Sequence, residues 1–398
     1  AGYALATNDL IPLPDGATLS MLPGRLAVGL DADGVRQSVP ESEGWALAAL
    51  LPVGYTRTNL PGYDLAPQAK PLPFFGYSAV VGVGEALFVA ATQTDDPGPW
   101  HPRHFAPARV KRVVRQRLRE EPENAVLRHH AHCALDYGCP TATNLFLRRE
   151  EGAVAVSAGC NARCVGCISK QDEDGLVSPQ DRLTFLPPVA DIVSTGVAHL
   201  SLGRRAIYSF GQGCEGEPIL QARLIEEAIR GMRAQTQQGT ININTNASDP
   251  AAMARLYAAG LDSVRVSTIS ARPATYTAYY RPIGYTYEDV RQSLLLARDA
   301  GIYSSINLLC FPGLIDCEDE VDALVMLLRE AGVRLVQLRN LNIDPEVLWR
   351  KVRRPDGAPM GMRAFIETLR REVPQAAIGN YSRAVGQPAQ ERDAEPMA

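Results

Sequence analysis

The feature that most constrains this chain is Cys160-Asn161-Ala162-Arg163-Cys164-Val165-Gly166-Cys167, three cysteines at the spacing C-x3-C-x2-C. It follows directly on an apolar run, Gly152-Ala153-Val154-Ala155-Val156, which reads as a strand ending in the cysteine loop. Thiolates are soft ligands suited to iron–sulfur clusters and zinc. Zinc wants four ligands, and no fourth cysteine or histidine follows within the loop. Three thiolates on a short loop can hold three irons of a cubane cluster and leave the fourth open to a small chelating molecule. A zinc knuckle, or three unrelated cysteines, is the plainer alternative.

The 398 residues suffice for two or three domains. A net charge of −4 gives no general reason to expect nucleic-acid binding. No apolar run approaches the ~20 residues of a bilayer crossing. The first residues show no charged region followed by an apolar core, so no signal peptide is expected. Eight cysteines, three of them in a metal spacing, fit a reducing cytoplasm better than a disulfide scaffold.

Residues 1–105 read as a β-rich N-terminal domain, with short apolar runs broken by turns such as Pro14-Asp15-Gly16 and Pro61-Gly62. Residues 106–150 read as a linker helix and a His/Cys segment. In the helix, Val110, Val113, Val114 and Leu118 share a face, and six arginines and lysines lie between Arg109 and Arg119. That stripe suits an anionic partner such as RNA, but a solvated face is the preferred reading. In the segment that follows, Cys133 and Cys139 lie near His129, His130 and His132. They are candidates for a second metal site, against two small buried cysteines among surface histidines. Asn144-Leu145-Phe146-Leu147 reads as a strand.

From Ala153 onward strand and helix patterns alternate, the mark of parallel β/α units. Strands are expected at 153–157, 206–210, 240–244, 263–267, 303–309 and 335–338. The helices between them have clear boundaries. Asp249-Pro250 and Gly260 bracket one, and Thr286 with Asp289 approximates a capping box on another. Residues 346–398 read as a C-terminal extension, with a helix at 360–372 closing the sheet's open side and a polar tail that is disordered.

The second strand ends in Gly213-Cys214-Glu215-Gly216-Glu217-Pro218. The cysteine loop, this Gly-Glu-Pro element one unit downstream and the six β/α units together resemble the radical S-adenosylmethionine (radical SAM) superfamily, over about residues 150–345. The resemblance implies a partial (β/α)6 barrel at 151–345, a 4Fe–4S cluster on Cys160, Cys164 and Cys167, and S-adenosylmethionine at the open iron. It implies that Gly216, Glu217 and Pro218 bind the methionine amino group. Asn246 and Ser267, at the third and fourth strand tips, then bind ribose and carboxylate, and Phe311 with Leu314 forms an adenine wall. The element's first glycine is replaced by Glu215 here.

The resemblance implies that Tyr280 and Arg281 meet substrate or cofactor, with packing of their helix onto the barrel as the alternative. Gln337, Arg339 and Asn340 at the sixth strand's end are expected to face substrate, since polar side chains in a core are costly unless used. Cys310 and Cys214 are candidate catalytic thiols. The implied reaction is reductive cleavage of S-adenosylmethionine to a 5′-deoxyadenosyl radical that takes hydrogen from a small molecule or peptide. A reducing partner such as flavodoxin or ferredoxin supplies the electron. Two alternatives stay open: RNA or protein modification by methyl transfer or with a thiol's help, and a non-catalytic iron–sulfur or zinc module that binds RNA or a partner.

Overall fold

The computed structural model describes residues 5–31, 33–171, 176–203 and 205–386. The tail expected at 386–398 lies outside them except for Gly386. The N-terminal region is β-rich: β1 (Ile11–Pro12), β2 (Thr18–Leu30), β3 (Arg36–Ser38), β4 (Trp45–Leu50), β5 (Tyr55–Arg57), β6 (Tyr63–Leu65), β7 (Ser78–Val83), β8 (Ala86–Val89) and β9 (Ala91–Gln93). Seven of these form an antiparallel sheet in the order β1-β8-β7-β4-β2-β3, with β6 also paired to β2, and β5 pairs with β9.

Three helices follow: α1 (Pro107–Glu120), α2 (Ala125–Leu135) and α3 (Pro140–Leu147). Val110 and Val114 of α1 are buried, and Arg109, Lys111, Arg112, Arg115 and Arg119 face solvent. The strand expected at Asn144–Leu147 is instead the end of α3. Pro140 opens that helix, and Ala142, Leu145 and Phe146 bury one helical face.

The chain then winds once through a parallel sheet: β10 (Glu151–Val154), β11 (Ile207–Phe210), β12 (Thr240–Thr245), β13 (Ser263–Thr268), β14 (Tyr303–Cys310), β15 (Leu335–Asn340) and β16 (Ala377–Gly379). The spatial order equals the chain order, as expected of a sheet curling into a partial barrel. The crossovers carry α4 (Val189–Leu200), α5 (Ala222–Arg233), α6 (Pro250–Ala259), α7 (Pro273–Tyr280), α8 (Tyr287–Asp299), α9 (Glu318–Glu330), α10 (Pro345–Lys351) and α11 (Met362–Glu372). Asp249 caps α6 by accepting from Ala252 N–H, and Thr286 with Asp289 forms the capping box of α8. The six expected strands are present, and β16 adds a seventh. The C-terminal segment therefore extends the sheet, with α11 on the crossover into β16.

The two faces of this sheet differ in chemistry because its strands alternate, as in Thr240-Ile-Asn-Ile-Asn-Thr245 and Ser263-Val-Arg-Val-Ser-Thr268. Ile241, Ile243, Val264, Val266, Ile306, Leu308, Val336 and Leu338 belong to the main core with the helices. The opposite face carries a polar ladder. Ser209 Oγ donates to Glu151 (2.7 Å), Asn242 Nδ2 to Ser209 (3.0 Å) and Ser263 Oγ to Asn242 (2.8 Å). Arg265 donates to Gln337 Oε1 across β14 at 2.7 Å.

The N-terminal region is tied to the strand ends by two buried arginines. Arg25 pairs with Asp344 at 2.5 Å. Arg57 is fully buried, and its guanidinium donates to the carbonyls of Phe75, Tyr77, Cys310 and Leu341. No helix among the described residues is long and apolar enough to cross a membrane.

Candidate active site at the carboxyl ends of the parallel strands

β10 runs out through Ala155–Ser157 into the loop of Cys160, Cys164 and Cys167, all half-buried. Burial first, and then the neighbouring Cys167 and Cys160 sulfurs, push the Cys164 thiol well above its ordinary range. Arg182 Nη2 lies 3.4 Å from Cys167 Sγ. The loop is held on two sides. On one, Arg163 N–H donates to Tyr280 O (3.0 Å), Val165 N–H to Tyr279 O (2.9 Å) and Ile283 N–H to Asn161 O (2.8 Å). On the other, Gly216 N–H donates to Ser157 O (2.7 Å) and Glu217 N–H to Gly159 O (2.8 Å).

Gly216 has to be glycine, since a Cβ there would stand 1.8 Å from Gly159 O. Gly211, where the chain leaves β11, is left-handed at φ +82° and leaves equally little room against Asn244 O. Glu215, at the position where the family's motif has its first glycine, is buried. Its carboxylate accepts from the backbone N–H groups of Val156 (2.7 Å), Ser157 (2.8 Å) and Gln212 (2.7 Å). Desolvation still pushes it up to about 8.

Glu217 is the second buried carboxylate. It accepts from Ile219 N–H (3.0 Å), Asn246 N–H (2.8 Å) and the Thr245 hydroxyl, and so caps the short turn Pro218–Gln221. Burial pushes it up to about 7. No ammonium, guanidinium or imidazole pairs with it among the described residues, yet it is near enough to raise the Cys160 and Cys164 thiols. Tyr276, Tyr279, Tyr280 and Tyr285 wall the same space. Tyr276 and Tyr280 stack at 4.5 Å, and the Tyr280 hydroxyl is buried without a partner.

A cavity of about 630 Å³ lies nearby, lined by Asn161, Leu220, Ser248, Asp249 and Tyr285 among others, but none of the three cysteines lines it.

The donor set fits a cubane cluster with one open corner. Three half-buried thiols share one loop, and the group of candidate ligands found elsewhere among the described residues, His129, His130, Cys133 and Cys214, contains none of the three.

Several expected site residues sit elsewhere. Cys310 is fully buried on the apolar face, one position out of step with Leu309 and Asn307, so it does not look into the barrel. Phe311 and Leu314 are fully buried. Phe311 packs edge-on against Trp349 and under Arg57, so this stretch is core and not an open adenine wall. Pleat parity also turns Asn340 away from the barrel. Its Oδ1 accepts from Arg57 N–H (3.0 Å) and its Nδ2 donates to Tyr55 O (3.4 Å). Gln337 does face inward but is spent on Arg265 and on Asn380 O. Tyr280 and Arg281 hold the cysteine loop: Arg281 Nε donates to Arg163 O.

Arg339 faces inward beside Arg265 and Glu151, and burial lowers it to about 10. Ser267 lies on the same face, where Asn307 Nδ2 donates to its hydroxyl at 3.4 Å. Asn246 reaches the cysteine loop, its Nδ2 donating to Asn161 at 2.8 Å. Cys133 and Cys139 do not share a site. Cys139 turns to Thr141 (3.3 Å), while Cys133 groups with His129, His130 and Cys214. The support given by Glu215, and the places of Arg182 and Tyr285, were not anticipated. The acidic residue in place of the usual glycine was the available signal for Glu215.

Residues 154–328 match the family model described as the radical SAM superfamily. No curated protein matches the sequence. Among solved structures, the fold is similar to HydG, a maturase of the FeFe-hydrogenase (14% identity, 69% of this chain and 63% of that one, TM-score 0.42). It is similar to the radical S-adenosylmethionine methyltransferase TsrM from Kitasatospora setae (18% identity, 48% of this chain and 37% of that one, TM-score 0.35). It is also similar to methylornithine synthase, PylB (11% identity, 69% and 75%, TM-score 0.42). The chain thus spans less than two thirds of HydG and of TsrM.

Proposed function

Because residues 154–328 make this chain a member of the radical SAM superfamily, we propose that it cleaves S-adenosylmethionine reductively and uses the radical formed to take hydrogen from a substrate at the barrel mouth. Cys160, Cys164 and Cys167 would hold the 4Fe–4S cluster. Bound there, the cluster supplies the electron that breaks the sulfonium's bond to the 5′ carbon.

The observation that carries the reading is Glu217. A carboxylate 6% exposed with no cationic partner is costly, and an ammonium arriving beside the three cysteines relieves that cost. The methionine end of S-adenosylmethionine brings one. Thr245, Asn246 and Ile219 fix the carboxylate's orientation before the ligand arrives, and Glu215 fixes the backbone of the loop. The tyrosine wall keeps water from the reacting end.

The substrate end is read from Arg339. It is a desolvated cation on the barrel's polar face, and no carboxylate is within hydrogen-bonding distance of it among the described residues. The Asn307 Oδ1 on that face is buried without a partner. This supports a substrate that carries an anionic group. A flavodoxin or ferredoxin is the reductant the reading needs.

The test is anaerobic reconstitution to about four irons per chain, then dithionite and S-adenosylmethionine, with 5′-deoxyadenosine measured. Its formation is expected. Fully loaded protein that yields none has some other activity.

A further inference from the structure

α2 presents His129, His130 and Cys133, and the loop after β11 brings Cys214 to meet them. One ligating atom from each of these four residues lies within 4.8 Å of all the others. His129 Nε2 is 3.2 Å from Cys214 Sγ and 3.8 Å from Cys133 Sγ. A tetrahedral ion with ordinary zinc–nitrogen and zinc–sulfur bonds would separate such atoms by about 3.6 Å, between the two values. Cys133, Cys214 and His130 are all buried, and no lysine or arginine contacts either sulfur among the described residues.

His130 is held by its far nitrogen. Ala155 N–H donates to Nε2 at 3.0 Å, so the ring proton must sit on Nδ1. That N–H is buried and has no hydrogen-bond partner that meets ordinary geometry, and the His130 ring keeps a nitrogen within 4.8 Å of the Cys133 sulfur. A thiolate would satisfy it, whereas a thiol is a weak acceptor. Two thiolates closed away from water need a cation of their own.

We propose that His129 Nε2, Cys133 Sγ and Cys214 Sγ bind a single zinc-class divalent ion, with His130 donating from Nδ1 to the Cys133 sulfur and a non-protein ligand in the fourth position. The set is too tightly drawn for a second iron–sulfur cluster, whose bridging sulfides hold the ligands farther apart. The ion's role follows from where Cys214 sits. Its neighbours Glu215 and Gly216 hold Val156 and Ser157, the strand end that leads into the cysteine loop. An ion joining Cys214 to α2 therefore pins residues 125–135 to the support of the cysteine loop. The site stands whether or not S-adenosylmethionine is cleaved.

The test uses the full chain purified without air, with metals counted by elemental mass spectrometry. About one zinc per chain is expected beside the iron, and it should persist when Cys160, Cys164 and Cys167 are all changed to serine. Cobalt exchanged into the site should show thiolate-to-metal charge transfer and tetrahedral ligand-field bands. Cys214→Ser and His129→Gln should each remove these. His130→Gln should keep the ion but shift the charge-transfer energy and weaken binding about tenfold. Wild-type protein needs no variant to decide the matter. Zinc below a tenth of an equivalent overturns the proposal. So does iron near eight per chain, or a Cys133–Cys214 disulfide in air-free protein.

Discussion

Cys160, Cys164 and Cys167 lie within eight residues on one loop, whereas His129 and Cys214 stand 85 residues apart in sequence. The first group is half-buried on the loop that follows β10. The second is closed inside the junction of α2 with the loop after β11. The first is shaped by backbone hydrogen bonds from both flanks, the second by side chains packed across two segments. A ligand set written in one stretch advertises itself by spacing, while a composite set becomes visible only when the fold has brought its halves together. The difference also bears on use. Three thiols on one loop leave a cluster corner free for chemistry, whereas ligands drawn from two packed segments tie those segments together.

The largest effect should come from the open group. Changing Cys160, Cys164 or Cys167 to Ala is expected to reduce 5′-deoxyadenosine to background while the far-ultraviolet circular dichroism stays native. The same change should leave the α2 ion in place. Loss of both metals together would show that the two groups are one folding unit and erase the contrast.

Gly216→Ala comes next. The added Cβ meets backbone at 1.8 Å, which no rotamer can relieve, so the loop must shift at about 1–3 kcal/mol. Reconstituted iron should fall several-fold, with a lower melting temperature. Native iron content in this variant would mean that the β11 loop does not shape the cysteine loop.

Glu217→Gln keeps the shape and removes the charge. A hydrogen bond to a charged group contributes about 1.5–3 kcal/mol, so S-adenosylmethionine should bind roughly 10–100-fold more weakly at unchanged iron content. Equilibrium dialysis measures this directly, and unchanged affinity would leave the carboxylate a turn cap and nothing more.

How far the sequence reached can be judged residue by residue. The alternation in Thr240–Thr245 and Ser263–Thr268 encodes both the strands and their two faces, which is why the parallel units were legible. β16 was not, because three residues carry no period of their own. Asn144–Leu147 was misread as a strand because a four-residue apolar run has no period to separate strand from helix, and Pro140 four residues earlier decides it. The cysteine loop stood out by its spacing, and Glu217 only through the resemblance that the Gly-Glu-Pro element helps to carry. Cys310 and Asn340 were misplaced because a strand tip gives position but not parity, and a one-residue error turns a side chain to the other face. Nothing local marks Arg57. Its partners are carbonyls of three distant segments, and only assembly reveals them.

The smallest expected effect compares the two groups through the donor each keeps near a sulfur, Arg182 at 3.4 Å from Cys167 and His130 beside Cys133. A cation near a cluster thiolate favours the reduced, more negative state, because the added electron is attracted more strongly. Arg182→Met should therefore lower the cluster's reduction potential and slow electron uptake a few-fold, without changing iron content or S-adenosylmethionine affinity. A redox titration followed by electron paramagnetic resonance separates these quantities. His130→Gln in the closed group has no electron to tune, and its effect should be confined to ion affinity. If both substitutions changed only metal retention, Arg182 would be a strut like His130, and the open group would owe its chemistry to exposure alone.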